Sequence, residues 1–198
     1  MKRAALGFRA HSGWTALVAL CLERNQPRVL ARQRPKLVEK FTYKLRQPYH
    51  TAGKMPFNQA AEFVADIEAS ATRLAEEAIR NTQAELRSNG YELTCFGLPL
   101  ASARPLPGLE NILASHALVH TADGELFRRA LIHAGECCQM TAFTLADREL
   151  VTTACQTLEI GKEELLRRIT ALGRPLGPPW SQDEKFAALA AWMALRSG

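Results

Sequence analysis

The sequence is poor in the features that assign a chemistry at sight. Its five cysteines, Cys21, Cys95, Cys137, Cys138 and Cys155, are odd in number and contain no Cys-x-x-Cys pair. Neither a disulfide framework nor a cysteine-type zinc module is indicated, and a reducing, cytoplasmic location is expected. No run reaches the roughly 20 apolar residues that a membrane-crossing helix needs. Met1-Lys2-Arg3 followed by Trp14 to Leu22 imitates a secretion signal, but Arg9 and His11 interrupt it and bulky Leu20 stands where a small residue is required. The segment is read as a strand of the mature fold. Aromatic residues make up 7% of the chain, which argues against a base-stacking surface, and Trp14, Trp180 and Trp192 are read as packing anchors. His-Glu-x-x-His is missing, because Ala117 stands where the glutamate would be, and no phosphate-loop fingerprint or internal repeat occurs.

Acids are scarce in one part of the chain. Residues 1–54 hold twelve lysines and arginines against Glu23 and Glu39 alone, while residues 55–198 hold 13 basic and 18 acidic groups. Such lopsidedness favours an anionic partner, phosphate, nucleotide or nucleic acid, near the N-terminal region. From Arg24 to Lys54 every basic residue is even-numbered, and Val29, Ala31, Leu37, Phe41, Tyr43 and Leu45 are odd. On strands this parity separates charge from apolar groups, giving either a solvated edge that deters aggregation or a ligand-facing basic strip.

With 198 residues, 47% of them apolar, the chain is expected to form one α/β domain over 1–198. Residues 4–8 and 14–22 read as strands, the second buried on both faces; Asn25-Gln26-Pro27 reads as a turn, Arg28 to Val38 as the hairpin partner, and Lys40 to Leu45 as a third strand. Pro56 opens a helix over 57–88, where Phe57, Ala60, Val64, Ile67, Ala71, Leu74 and Ala78 recur at spacings of three and four. A strand over Tyr91 to Leu98 leads into a proline-rich loop, Pro99 to Pro107, carrying Arg104. A short helix from Leu109 precedes His116-Ala-Leu-Val-His120, and Thr121 is expected to cap a helix reaching Cys138, with Asp123 and Glu125 in its first turn. Met140 to Leu145 is the last expected strand, with helices over Lys162 to Leu172 and Gln182 to Leu195. The order implies a mixed sheet with an N-terminal antiparallel hairpin and flanking helices.

That order, with Gly7-Phe8-Arg9-Ala10-His11-Ser12-Gly13-Trp14 at the first strand and Asp183-Glu184-Lys185-Phe186-Ala187-Ala188-Leu189-Ala190 at the last helix, resembles the ribonuclease-H-like superfamily, whose Holliday junction resolvases and actin-like ATPases are the nearest types. In its nucleases an aspartate on the first strand, a glutamate on the fourth and acids on the last helix hold two divalent cations that stabilise the attacking and leaving oxygens at phosphorus. The resemblance puts Arg9 where the first acid belongs, finds no carboxylate in Leu93-Thr94-Cys95-Phe96-Gly97, and matches Asp183 but sets Phe186 in its partner's place. One remaining acid does not hold two hard cations. A guanidinium at position 9 keeps a positive centre able to engage phosphate or carboxylate oxygens, or else pairs with an acid such as Asp183.

Three further constellations carry chemistry. His116 and His120, four apart, form with Asp123 or Glu125 the best candidate metal or acid–base cluster, although the same residues also suit backbone hydrogen bonding and the helix dipole, and no metal or cofactor is assigned. Ala10-His11-Ser12-Gly13 suits a loop approaching a phosphate or a plain hairpin turn. Gln47-Pro48-Tyr49-His50 offers an aromatic and an imidazole in a loop. The candidate ligand-binding set is therefore Arg9, His11, Ser12, His116, His120 and Thr121, expected to share one cleft and bind a small anion. The favoured function is anionic-ligand or nucleic-acid binding on a ribonuclease-H-like fold without two-metal nuclease chemistry. Two alternatives stand beside it: a hydrolase using His116, His120 and an acid, and a non-enzymatic protein whose long helix pairs with a second copy through its alanine stripe.

Overall fold

The computed structural model describes residues 1–101 and 105–197; Arg104 lies outside the described residues. Five strands form one sheet in the order β3-β2-β1-β4-β5. β1 (Lys2–His11) and β2 (Trp14–Glu23) form an antiparallel hairpin, closed by Ser12 and a Gly13 held at φ +84. β2 turns into the edge strand β3 (Gln26–Gln33) through Arg24 and Asn25, both at positive φ, as a two-residue turn of a right-twisted hairpin requires. Pro27 is tolerated because β3 has only one neighbour. β4 (Tyr91–Leu100) and β5 (Thr141–Ala146) run parallel to β1 and need crossovers, which α3 (Phe57–Ser88) and α5 (His116–Cys137) supply.

The expected third strand is not there. After Gln33 the chain leaves the sheet, apart from one bridge between Trp14 and Lys36, and Tyr43–Arg46 (α1) and Pro48–Ala52 (α2) are short helical turns. The even-number parity therefore has strand meaning only as far as Arg32. Four arginines of the supposed strip are already engaged: Arg28 donates to Glu23, Arg32 to the backbone carbonyls of Gly177 and Pro179, Arg34 to Glu184, and Arg46 to the Ser12 carbonyl.

Two cores sandwich the sheet. On one face the even-numbered side chains of β1, from Ala4 to Ala10, meet α3, α2 and α5. The buried alanines Ala60, Ala71 and Ala75 let α3 approach α5 closely, so the stripe read as a surface for a second copy is covered within the chain. On the other face Ala5, Val18 and Leu20 meet α6 (Leu150–Leu158), which the sequence reading passed over, together with α7 (Lys162–Leu172) and α8 (Gln182–Arg196). Here the contact is backbone on backbone: a Cβ at Gly7 would lie 1.8 Å from the carbonyl oxygen of Ala187, and one at Gly97 2.1 Å from that of Ala190. Glycine on two adjacent strands and alanine on the helix allow α8 to lie directly on the sheet. Among the described residues no helix is long and apolar enough to cross a membrane.

Candidate functional site

The C-terminal ends of β1, β4 and β5 open on one side of the sheet, where ligands of α/β proteins commonly sit. Because side chains alternate along a strand, Arg9 and His11 follow Ala5 and Gly7 onto the α8 face. Arg9 forms an ion pair with Asp147, which stands just beyond β5 in a 3₁₀ turn (Asp147–Glu149), and its guanidinium lies 5.2 Å from the centre of the Phe186 ring. Burial lowers the Arg9 pKa from its ordinary range, and the nearby charge of Asp183 works against that shift. His11 holds Asp183 through Nε2 at 2.8 Å and stacks on Trp14 at a centroid distance of 4.4 Å. From α5, Glu125 and Arg128 approach the same region, 3.9 Å apart. Burial pushes Arg128 down, Glu125 opposes this, and the like charge of Arg9 adds to it. Asp147 and Phe186 also border an open groove of about 860 Å³ between α6, α7 and α8.

This donor set does not fit a two-metal centre. The first-strand position is cationic, the fourth strand ends without a carboxylate, and Phe186 presents a ring. Of the acids that remain, Asp147 and Asp183 are held by Arg9 and His11, and Glu125 faces Arg128. Next to them Glu184 is fully buried at the first turn of α8. Burial alone would raise its carboxyl, but hydrogen bonds from Arg34 Nε (2.6 Å) and from the Ser181 hydroxyl and amide (2.7 and 2.8 Å) prevail and bring it to about 2. Ser181 and Glu184 form a reciprocal cap that fixes the start of the helix.

The histidines lie elsewhere. His116 opens α5 on the opposite face of the sheet, and His120 follows one turn later with its Nε2 3.1 Å from that of His116. His50, on α2, comes within 4.3 Å of His120 and 5.9 Å of His116 between ring centres. Its Nδ1 is 2.5 Å from Asp123 Oδ2, and the other oxygen of Asp123 accepts from the Tyr49 amide at 2.7 Å. Burial pushes the Asp123 carboxyl up, against the pull of His50 and the Tyr49 amide.

The six expected ligand residues thus separate. Arg9 and His11 are joined to Asp147 and Asp183 on the α8 face; His116 and His120 join His50 and Asp123 on the other; and Ser12, in the hairpin turn, accepts from Arg46 Nε through its carbonyl. Thr121 is not a cap. The helix already begins at His116, with Ser115 before it, and the Thr121 hydroxyl donates to the Ala117 carbonyl one turn back. The expected cleft shared by Arg9 and His116, and the anion-binding helix end at Thr121, are therefore not formed. Asp147 and Arg128 were missed, although an acid immediately after a parallel strand is a sequence signal for the site side of the sheet. Phe41, Tyr43 and Phe57 were also missed as surface groups: they are exposed among Lys36, Lys40, Lys44 and Lys54.

No family model and no curated protein sequence matches the chain. Solved structures do. RuvC from Thermus thermophilus in complex with a Holliday junction substrate superposes with a TM-score of 0.54 at 12% identity, over 98% of this chain and 93% of that one. A second Thermus thermophilus RuvC structure gives 0.53 at 13% identity with the same coverage. At that identity the likeness is one of backbone architecture, and it shows that the chain has a ribonuclease-H-like fold, distantly similar to that of RuvC.

Proposed function

We propose that this protein binds nucleic acid through phosphate contacts and does not cleave it by two-metal chemistry. The observation that carries the reading against two-metal cleavage is Arg9, a guanidinium at the end of β1, paired with Asp147 and packed on Phe186 in a region where the fold's nucleases gather acids. The binding half rests on charge elsewhere. Between β3 and α3 the chain exposes Lys36, Lys40, Lys44 and Lys54, with Glu39 the only acid from Gln33 to Glu62 besides Glu62 itself, and interleaves them with exposed Phe41, Tyr43 and Phe57. Cations supply affinity for phosphate, and exposed rings offer stacking partners for unpaired bases. Since Arg9 and His11 are occupied by acids of the chain, an incoming phosphate meets the lysines and the Ser12 turn first. A cytoplasmic setting suits five free thiols.

Fluorescence anisotropy with labelled duplex and four-way-junction DNA over a salt series tests this. Affinity is expected to fall with salt at a log–log slope of about −0.9 per neutralised phosphate on duplex, with no cleavage in Mg²⁺ or Mn²⁺. Absence of binding at low salt would overturn the binding half; divalent-dependent cleavage abolished by Asp183→Ala would overturn the other.

A further inference from the structure

We propose that His50, His116 and His120 form a binding site for a zinc-class divalent transition-metal ion, with one coordination position left open to solvent. One ligand nitrogen from each of the three side chains can be chosen so that all lie within 4.8 Å of one another. In a tetrahedral zinc site with Zn–N bonds of about 2.0–2.1 Å, ligand nitrogens stand about 3.3 Å apart. His116 and His120 are already at 3.1 Å, so only His50 has to close in, through side-chain torsions.

The pair on α5 has the spacing of four that puts two imidazoles on one helical face, one turn apart. The third ligand comes from a different element, α2, which is anchored beside α5 when Asp123 takes the Tyr49 amide. Asp123 contributes a second and independent feature. Only 3% exposed, it lies against His50 Nδ1, so that nitrogen is engaged by the carboxylate and Nε2 is the ring's remaining ligand atom. A carboxylate behind a histidine fixes the tautomer and makes the ligating nitrogen more basic.

Two imidazole nitrogens at 3.1 Å on exposed side chains gain little from each other in water, where each would be solvated singly. The His116–His120 hydrogen bond is therefore easily given up, and a cation can take both lone pairs together with that of His50. The donor set is three imidazole nitrogens without thiolate, which suits Zn²⁺, Cu²⁺, Ni²⁺ or Co²⁺ and disfavours Mg²⁺ and Ca²⁺, whose ligands are oxygens. Exposure of His116 and His120 leaves the fourth position to water or a small anion. The site lies across the sheet from Arg9 and Asp147 and does not depend on nucleic-acid binding.

The test uses the full chain without a histidine tag, stripped with chelator and titrated with Zn²⁺ by calorimetry, and with Co²⁺ followed by its ligand-field absorption. One equivalent per chain with tetrahedral Co²⁺ bands is expected. His116→Ala and His120→Ala remove exposed side chains, so circular dichroism should be unchanged while affinity falls on the order of a hundredfold or more; Asp123→Asn should cost roughly ten- to hundredfold. His133 stands 3.6 Å from the Cys137 sulfur and forms a rival pair, so His133→Ala is the control that should leave the titration intact. Binding that survives both His116→Ala and His120→Ala, binding abolished by His133→Ala, or no binding of either metal would overturn the proposal.

Discussion

The two faces of the sheet solve the placement of polar groups in opposite ways. On the α8 face each functional-looking side chain has a partner from within the chain: Arg9 with Asp147, His11 with Asp183, Arg34 with Glu184. These groups hold α8 and the start of α6 to the strand ends. On the face of α2 and α5, one buried acid orients one histidine, and two further histidines project into solvent toward it. A satisfied polar group stabilises the fold; the three converging imidazoles, two of them joined only by a solvent-exposed hydrogen bond, are the arrangement on which the proposed metal site rests. Where charge was expected to mark the site, at Arg9, it is neutralised by Asp147, and the proposed metal site lies on the other face.

The largest effect should come from the packing that separates the faces. Gly97→Val places a side chain against the Ala190 backbone, which cannot yield without moving α8. A loss above about 4 kcal/mol is expected, seen as failure to recover folded protein or collapse of the urea transition. Gly135→Ala is the matching change on the other face. Its Cβ would meet the ring of the fully buried Phe96 at 2.3 Å, a side chain rather than backbone, so a smaller cost of about 1–3 kcal/mol is expected. Equal costs would erase the contrast between backbone and side-chain packing.

The next effect is acid lability of the α8 face. Glu184 titrates at about 2 in the folded chain, below the roughly 4.3 of an unfolded glutamate, so its charged form favours the fold at every pH above that unfolded value. As pH falls from about 4.3 toward 2 the contribution disappears, at most about 3 kcal/mol. Glu184→Gln should flatten the stability profile between pH 5 and pH 2, measured by denaturant midpoints, while lowering stability at neutral pH. An unchanged acid limb would remove the Arg34–Ser181–Glu184 network from the account.

Much of this fold was legible in the sequence because its signals are local. The spacing of α3 delivered a helix over 57–88, the span the structure has, and α7 likewise. Lys40 to Leu45 failed because alternation of polarity was taken for a strand where the chain, once past Gln33, has no sheet neighbour beyond a single bridge. Thr121 failed because a good capping residue was preferred to the helical continuity of His116 to Thr121, and the cap chosen by the fold, Ser115, makes no side-chain cap bond. Arg9 was legible as a replaced acid, and the pair of His116 and His120 as a spacing. His50 could not be joined to them, because the link is Asp123, 73 residues away in sequence, and no local pattern encodes it.

The smallest effect sharpens the comparison at the surface. Lys40 and Lys44 are exposed, Lys44 resting 5.2 Å above the Phe63 ring, and their removal should leave the melting temperature unchanged. If they contact phosphate, each Lys→Ala substitution withdraws one released counterion, so the salt slope for duplex DNA should flatten by about 0.9 per lysine, with affinity lowered similarly across sequences. Tyr43→Ala should act differently: a ring that stacks on unpaired bases carries no counterion, so it should weaken single-stranded binding and leave the duplex salt slope alone. His120→Ala, on the other proposed site, should alter neither. Were His120→Ala to reduce DNA affinity as Lys44→Ala does, the histidine cluster and the basic segment would be parts of one interface, and their treatment as separate sites would fail.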